Sequence, residues 1–241
     1  MTKPIAIIPA RGGSKRIPMK NLIPVGDKPA LQIAIELAIN SNMFEDVVVS
    51  TDNSEIRKIA IDAGATVYDE RPKFLSNDDA TTLDTISHEV HLLLVKYPNL
   101  QYVCCIYPVT PLLKNSRLRE GFELIQSSEW DYVFAAQRNT KPYDRNLSID
   151  TQGRASINRP ENEQRKTQTF PEVFNDAGQF YWGLTSAWLE KRPILSGNST
   201  FIQLGKYEVF DVDDLEDLEI VRELYNSRTQ DRNFSEGDSV V

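Results

Sequence analysis

Four times along this 241-residue chain a short apolar run gives way to a stretch with apolar residues at helical spacing, and few folds admit that alternation. Residues 5–8, 47–49 and 132–136 read as buried strands, with a shorter one at 66–68. Residues 102–107, YVCCIY, are apolar from end to end, the pattern of a central parallel strand covered on both faces. Between these runs, Leu31, Ala34, Ile35, Ala38 and Ile39 mark a helix that begins at Pro29. Ile56, Ile59 and Ala63 mark a second, capped from residues 50–53; Leu83, Ile86, Val90 and Leu94 mark a third, starting at Thr81 or Thr82. Leu118, Phe122 and Ile125 mark a fourth. The pattern predicts an α/β fold with a doubly wound, mainly parallel sheet. In such sheets ligands bind beyond the carboxyl ends of the strands.

The first strand runs into the most informative loop. Residues 10–21, ARGGSKRIPMKN, hold two adjacent glycines and the cations Arg11, Lys15, Arg16 and Lys20. Pro9 is expected to end strand pairing because it has no backbone donor. Glycines let the backbone approach a ligand and turn its N–H groups inward, which makes an anion-binding concavity. Grouped cations repel one another unless an anion or water screens them, so a polyphosphate is the natural occupant. The loop is too short for a Walker A motif and has Ser14 before Lys15. It also lacks the third glycine, and the following helix, of a dinucleotide fingerprint.

A second constellation lies near the other end, at Phe210-Asp211-Val212-Asp213-Asp214. Residues 208–212 read as a strand, in which Asp211 and Asp213 share a face and Val212 turns to the core. Two adjacent carboxylates are tolerable when a divalent cation bridges them, and oxygen ligands of this kind suit Mg²⁺. Cations for phosphate plus a carboxylate pair for Mg²⁺ point to nucleotidyl transfer, which depends on positioning and charge neutralisation. The only histidines, His88 and His91, fall on one helix with no further metal ligands near them in sequence, and no nucleophile–base arrangement is suggested.

The basic loop stands out because the chain as a whole carries a net charge of −8, which argues against nucleic acid and anionic membranes as partners. The two cysteines, Cys104 and Cys105, are neighbours on a predicted strand and therefore face opposite ways, so free thiols in a reducing cytoplasm are expected. No leader sequence and no membrane span are expected.

After residue 136 the rhythm breaks. Residues 137–176 are polar and without clear periodicity, which predicts an excursion that packs on a second subunit. A strand at 178–182, a short helix at 186–191, a strand at 201–204 and a helix through Leu215, Leu218, Val221 and Leu224 complete a single domain over residues 1–225. The polar tail, 226–241, is expected to fray.

Five segments in order, ARGGSKRIPMKN, VVVSTD, RPKFLSND, DAGQFYWG and FDVDDLEDL, resemble the acylneuraminate cytidylyltransferase family. Within it, CCIYPVTPLL and NDAGQFYWG are most similar to the enzymes that act on pseudaminic acid. The resemblance implies a nucleotide-diphospho-sugar transferase-like, Rossmann-type fold and a homodimer. It also implies CTP and a nine-carbon sugar acid as substrates, with Mg²⁺ as cofactor. Arg11, Gly13, Ser14, Lys15 and Lys20 would hold the triphosphate, Arg11 and Lys20 also stabilising charge during attack. Asn21, Arg71, Ala80 and Thr82 would read cytosine and ribose, and Asp211 and Asp213 would bind the metal. Tyr107, Arg145, Arg165, Gln179 and Tyr181 would meet the sugar, with guanidinium forks suited to its carboxylate. Sialic acid enzymes usually carry Gln where Tyr107 stands, and tend to have Pro at Asp176, which favours an analogue of N-acetylneuraminate. The alternatives are activation of N-acetylneuraminate or legionaminate, and a non-catalytic nucleotide-binding module.

Overall fold

A computed structural model describes residues 2–14, 17–127, 129–139, 145–210, 212 and 214–237, with side chains through residue 228. The first strand, β1 (Ile5–Pro9), is followed by a small hairpin of β2 (Pro24–Val25) and β3 (Lys28–Pro29). Then come α1 (Ala30–Asn40), β4 (Asp46–Ser50), α2 (Ser54–Asp62), α3 (Thr82–Lys96), β5 (Tyr102–Ile106), α4 (Asn115–Gln126) and β6 (Tyr132–Arg138). A second hairpin pairs β7 (Leu147–Ile149) with β8 (Ala155–Ile157). The chain closes with β9 (Phe174–Leu184), α5 (Thr185–Leu189), β10 (Ser199–Leu204) and α6 (Leu215–Gly237).

Six strands form the main sheet in the order β10-β6-β9-β5-β1-β4. β1 is parallel to β4 and β5, and β6 to β10; β9 alone runs the other way, between β5 and β6. Because side chains alternate along a strand, each strand feeds two cores. Ala6, Ile8, Val49 and Cys104 pack with Leu31, Ile35, Ile56 and Leu118 from α1, α2 and α4. Ile5, Ile7, Val48 and Cys105 pack on the other face with Ile86, Val90 and Leu93 of α3 and Trp188 of α5. The adjacent cysteines are thus split between the two faces, both free and fully buried, and burial raises both thiol pKa values. The doubly wound, mainly parallel sheet is the expected one.

A third, smaller cluster matters more for the site. Ile17, just past the basic loop, shares it with Val25 and Ala30, with Val212 between the two acids, and with Leu218 and Val221 of α6. Helix caps follow the sequence: the Asn53 side chain accepts from Glu55 N and Ile56 N, and Thr81 forms a capping box with Asp84.

Several expectations are corrected. β1 runs through Pro9, with Ala10 N donating to Ser50 O at 2.9 Å, since the donor that Pro9 lacks would face the β5 side, where pairing has stopped at Ile7 and Cys105. Residues 66–68 supply one parallel bridge, Val48 to Thr66, rather than a strand. The described residues of the expected strand at 208–212 are irregular, because the Glu208 carboxylate folds back to accept from Gly205 N (2.8 Å) and pairs with Arg117 (2.7 Å) and Lys114 (3.0 Å). That shell holds its pKa down at about 2. The ends of the excursion at 137–176 belong to the sheet, as β6 extends to Arg138 and β9 starts at Phe174. α6 continues past Asn226 to Gly237, beyond the expected end of the domain's last helix. Among the described residues no helix is long and apolar enough to cross a membrane.

Candidate active site

A cleft of about 600 Å³ opens beyond the carboxyl ends of β1, β4 and β5. Arg11, Ser14, Lys20 and Asn21 from the first loop border it, as do Arg71, Ala80, Thr82, Tyr107 and Gln179. Val212, which stands between Asp211 and Asp213 in the sequence, borders it too. Lys15, Asp211 and Asp213 lie outside the described residues.

The loop is shaped before any ligand arrives. Gly12 N donates to Asp52 Oδ1 at 3.0 Å, and Asn21 Nδ2 donates to Arg11 O at 2.8 Å. A Cβ on Gly12 would meet Asn53 Nδ2 at 2.9 Å, so this position needs glycine for the approach alone. Gly13 is exposed between Gly12 and Ser14. Arg11 Nη1 donates to Asn77 O (2.8 Å) and pairs with Asp78 (3.1 Å), joining the first loop to the segment after Arg71. In that segment Asn77 Oδ1 accepts from Asp79 N and Ala80 N, which sets the backbone at Ala80.

Arg71 is the most constrained cation of the cleft. It is 4% exposed, its Nε donates to Ser50 Oγ at 2.9 Å, and its Nη2 donates to Ser50 O. Ser50 Oγ donates in turn to Glu89 Oε1 at 2.6 Å, and Glu89 is itself buried on α3. Burial lowers the Arg71 pKa, opposed by the nearby carboxylates of Asp52 and Glu89.

On the other flank, Tyr107 Oη and Thr82 Oγ1 share a hydrogen bond of 2.8 Å, and burial raises the Tyr107 pKa. Tyr181 sits behind this wall, 4% exposed, its ring 5.4 Å from that of Tyr107 and its hydroxyl donating to Asp176 Oδ2 at 2.7 Å. Arg145 and Arg165 do not border the cleft. Arg145 donates to Thr167 Oγ1 and Glu163 O; Arg165 donates to Thr169 and lies 4.3 Å over the Phe170 ring.

Three residues that shape the cleft were not among the predicted site residues. Asp52 read from the sequence either as a site carboxylate or as a cap or turn residue, and was not assigned to the site. Asn77 orders Ala80 from a loop without periodicity. Glu89 carried a signal, since a charge three residues after Ile86 and one before Val90 falls on the apolar stripe of its helix.

Comparison with known proteins agrees with this geometry. A family model described as cytidylyltransferase matches residues 5–230. The pseudaminic acid cytidylyltransferase of Campylobacter jejuni is 34% identical over 92% of this chain and 96% of its own. The N-acylneuraminate cytidylyltransferase of Streptococcus agalactiae is 28% identical over 90% of this chain and 52% of its own. Among solved structures, a CMP:2-keto-3-deoxy-manno-octonic acid synthetase complexed with CTP superposes with a TM-score of 0.71 at 16% identity, covering 94% of this chain and 100% of that one, which is a likeness of fold.

Proposed function

The chain belongs to the cytidylyltransferase family, and from that premise we propose that it activates a nine-carbon sugar acid, pseudaminic acid, with CTP. The products are the CMP-sugar and pyrophosphate. One observation carries the reading: Ile17 and Val212 share a buried cluster, and their segments border the same cleft. Cations from one end of the chain and carboxylates from the other can therefore address one triphosphate.

In the reaction the anomeric hydroxyl of the sugar attacks the α-phosphorus in line. A new O–P bond forms, the bond to the bridging oxygen breaks, pyrophosphate leaves, and the hydroxyl proton is lost to solvent. Arg11 and Lys20 neutralise the charge that develops on the phosphates. Arg11 exchanges its pairing with Asp78 for the triphosphate, and Gly13, Ser14 and Lys15 supply further donors from the loop. Asn21, Arg71, Ala80 and Thr82 hold the nucleoside, and Tyr107 and Gln179 face the sugar.

Asp211 and Asp213 suit a magnesium ion, since both are hard oxygen donors flanking a residue that lines the cleft. Bound there, Mg²⁺ would supply charge neutralisation at the phosphates. A homodimer is supported by the β7–β8 hairpin, whose first strand is exposed at every residue and sets Leu147 and Ile149 on one face, 67% and 73% exposed. A two-stranded hairpin is marginal alone in water, and a second copy would cover it. Arg145 and Arg165 would then serve the neighbour's site. Two buried free thiols fit a cytoplasmic enzyme. The test is a panel of sugar acids with CTP, scored by pyrophosphate release. Pseudaminic acid should give the highest kcat/KM; preference for N-acetylneuraminate would refute the sugar assignment.

A further inference from the structure

The β6–β9 ladder breaks where the cleft begins. Phe134 pairs with Tyr181 and Ala136 with Asp176, so residues 177–180 of β9 stand opposite Ala135 alone. Such bulges re-aim side chains. Asp176 holds this one from both carboxylate oxygens: Oδ1 accepts from Gly178 N at 3.0 Å and Oδ2 from Tyr181 Oη at 2.7 Å. Gly178 takes a φ of +56°, which a side chain would resist. On the far side the strand stays tied to β5, with Tyr107 N donating to Gln179 O at 2.9 Å.

The bulge delivers Gln179 to the cleft wall, 3% exposed. Its Nε2 donates to Ala177 O at 3.2 Å, while its Oε1 is buried without a partner. Exchanging the two amide atoms would set Oε1 against the Ala177 carbonyl, so the free atom is the acceptor. A buried acceptor left unpaired has lost its hydration without replacement, and a ligand donor would supply the missing bond.

The sheet order says which ligand. The phosphate loop leaves β1, and Arg71 and Ala80 follow β4; β9 lies on the opposite side of β5. The nucleoside therefore takes the β4 flank and leaves the β9 flank to the sugar. We infer that Gln179 Oε1 accepts a hydrogen bond from an N–H or O–H donor on the sugar acid, and that Asp176 is the positioning residue that holds this acceptor in place. The inference rests on the cytidylyltransferase reading.

Steady-state kinetics on the full-length enzyme tests it, varying sugar and CTP separately. Gln179→Met keeps the size and removes the acceptor; the sugar KM should rise about tenfold, with CTP KM and the CTP-over-UTP preference within about twofold. Tyr181→Phe should raise the sugar KM by less, and Asp176→Ala by as much as Gln179→Met, with partial rescue in Asp176→Asn. Paired sugar acids carrying an acylamino or a hydroxyl group at one carbon locate the donor: loss of that preference in Gln179→Met places the donor at that carbon, and an equal loss on both places it at another. An unchanged sugar KM in Gln179→Met, or a rise confined to CTP, overturns the inference while wild-type turnover leaves the function standing. A wild type that turns over no sugar acid with CTP overturns both.

Discussion

The cleft and the arm that leaves the sheet at Arg138 both carry arginines, and they use them in opposite ways. Arg71 is buried and pinned on Ser50, which is pinned on the buried Glu89. Arg145 and Arg165 are exposed, and their hydrogen bonds go to hydroxyls and carbonyls of the arm itself. A guanidinium held by a buried carboxylate relay meets a ligand already oriented, and its ordering entropy is spent at folding. The arm's guanidiniums order a surface segment. They reach a substrate only if a second copy brings one to them.

That contrast sets the sizes of the expected effects. Arg71→Ala should lower kcat/KM for CTP by about 10²–10³-fold, as expected for losing a preoriented charged donor. A loss under tenfold at saturating sugar would place the nucleoside elsewhere. Glu89→Ala should cost about 3 kcal/mol of stability, because it removes the buried carboxylate to which Arg71 is tied through Ser50. The shift of the denaturant midpoint measures it, and a change under about 0.5 kcal/mol would mean that water replaces the acid.

The next effect is smaller and depends on pH. Glu208 has a folded pKa of about 2 against an ordinary 4.5, so its stabilisation is complete above the ordinary value and is lost as pH falls toward 2. Arg117→Leu should remove about 1–2 kcal/mol near neutrality, and the gap to wild type should close as pH approaches 2. A gap that stays constant with pH would assign the loss to packing. Smallest of all, Arg145→Ala and Arg165→Ala should each change stability by less than about 0.5 kcal/mol. If the arm reaches a neighbour, their sugar KM rises nonetheless; an unchanged KM would confine the arm to a structural role.

The same contrast explains what could be read in the chain beforehand. The apolar runs of β1, β4, β5 and β6 are buried on both faces, so composition alone declares them. The loop at Arg11 and the turn at Val212 are legible because like charges crowd there in the sequence. The reversed direction of β9 was not legible, since Phe180-Tyr181-Trp182 reads the same either way. Glu208 turned an expected strand into a folded-back loop partly through Arg117, 91 residues away in α4. The arm has no period because little of it faces a core, and α6 outruns Asn226 although its sequence there turns polar.

The central claim is that the basic loop and the acidic turn act on one CTP. Pyrophosphate release at saturating CTP and sugar acid, followed across a magnesium titration in wild type and Asp211→Asn, tests it most directly. The account predicts a magnesium-dependent wild type and a variant slower by about 10²-fold or more with an unchanged melting temperature. Equal rates in the two proteins at every magnesium concentration would contradict it.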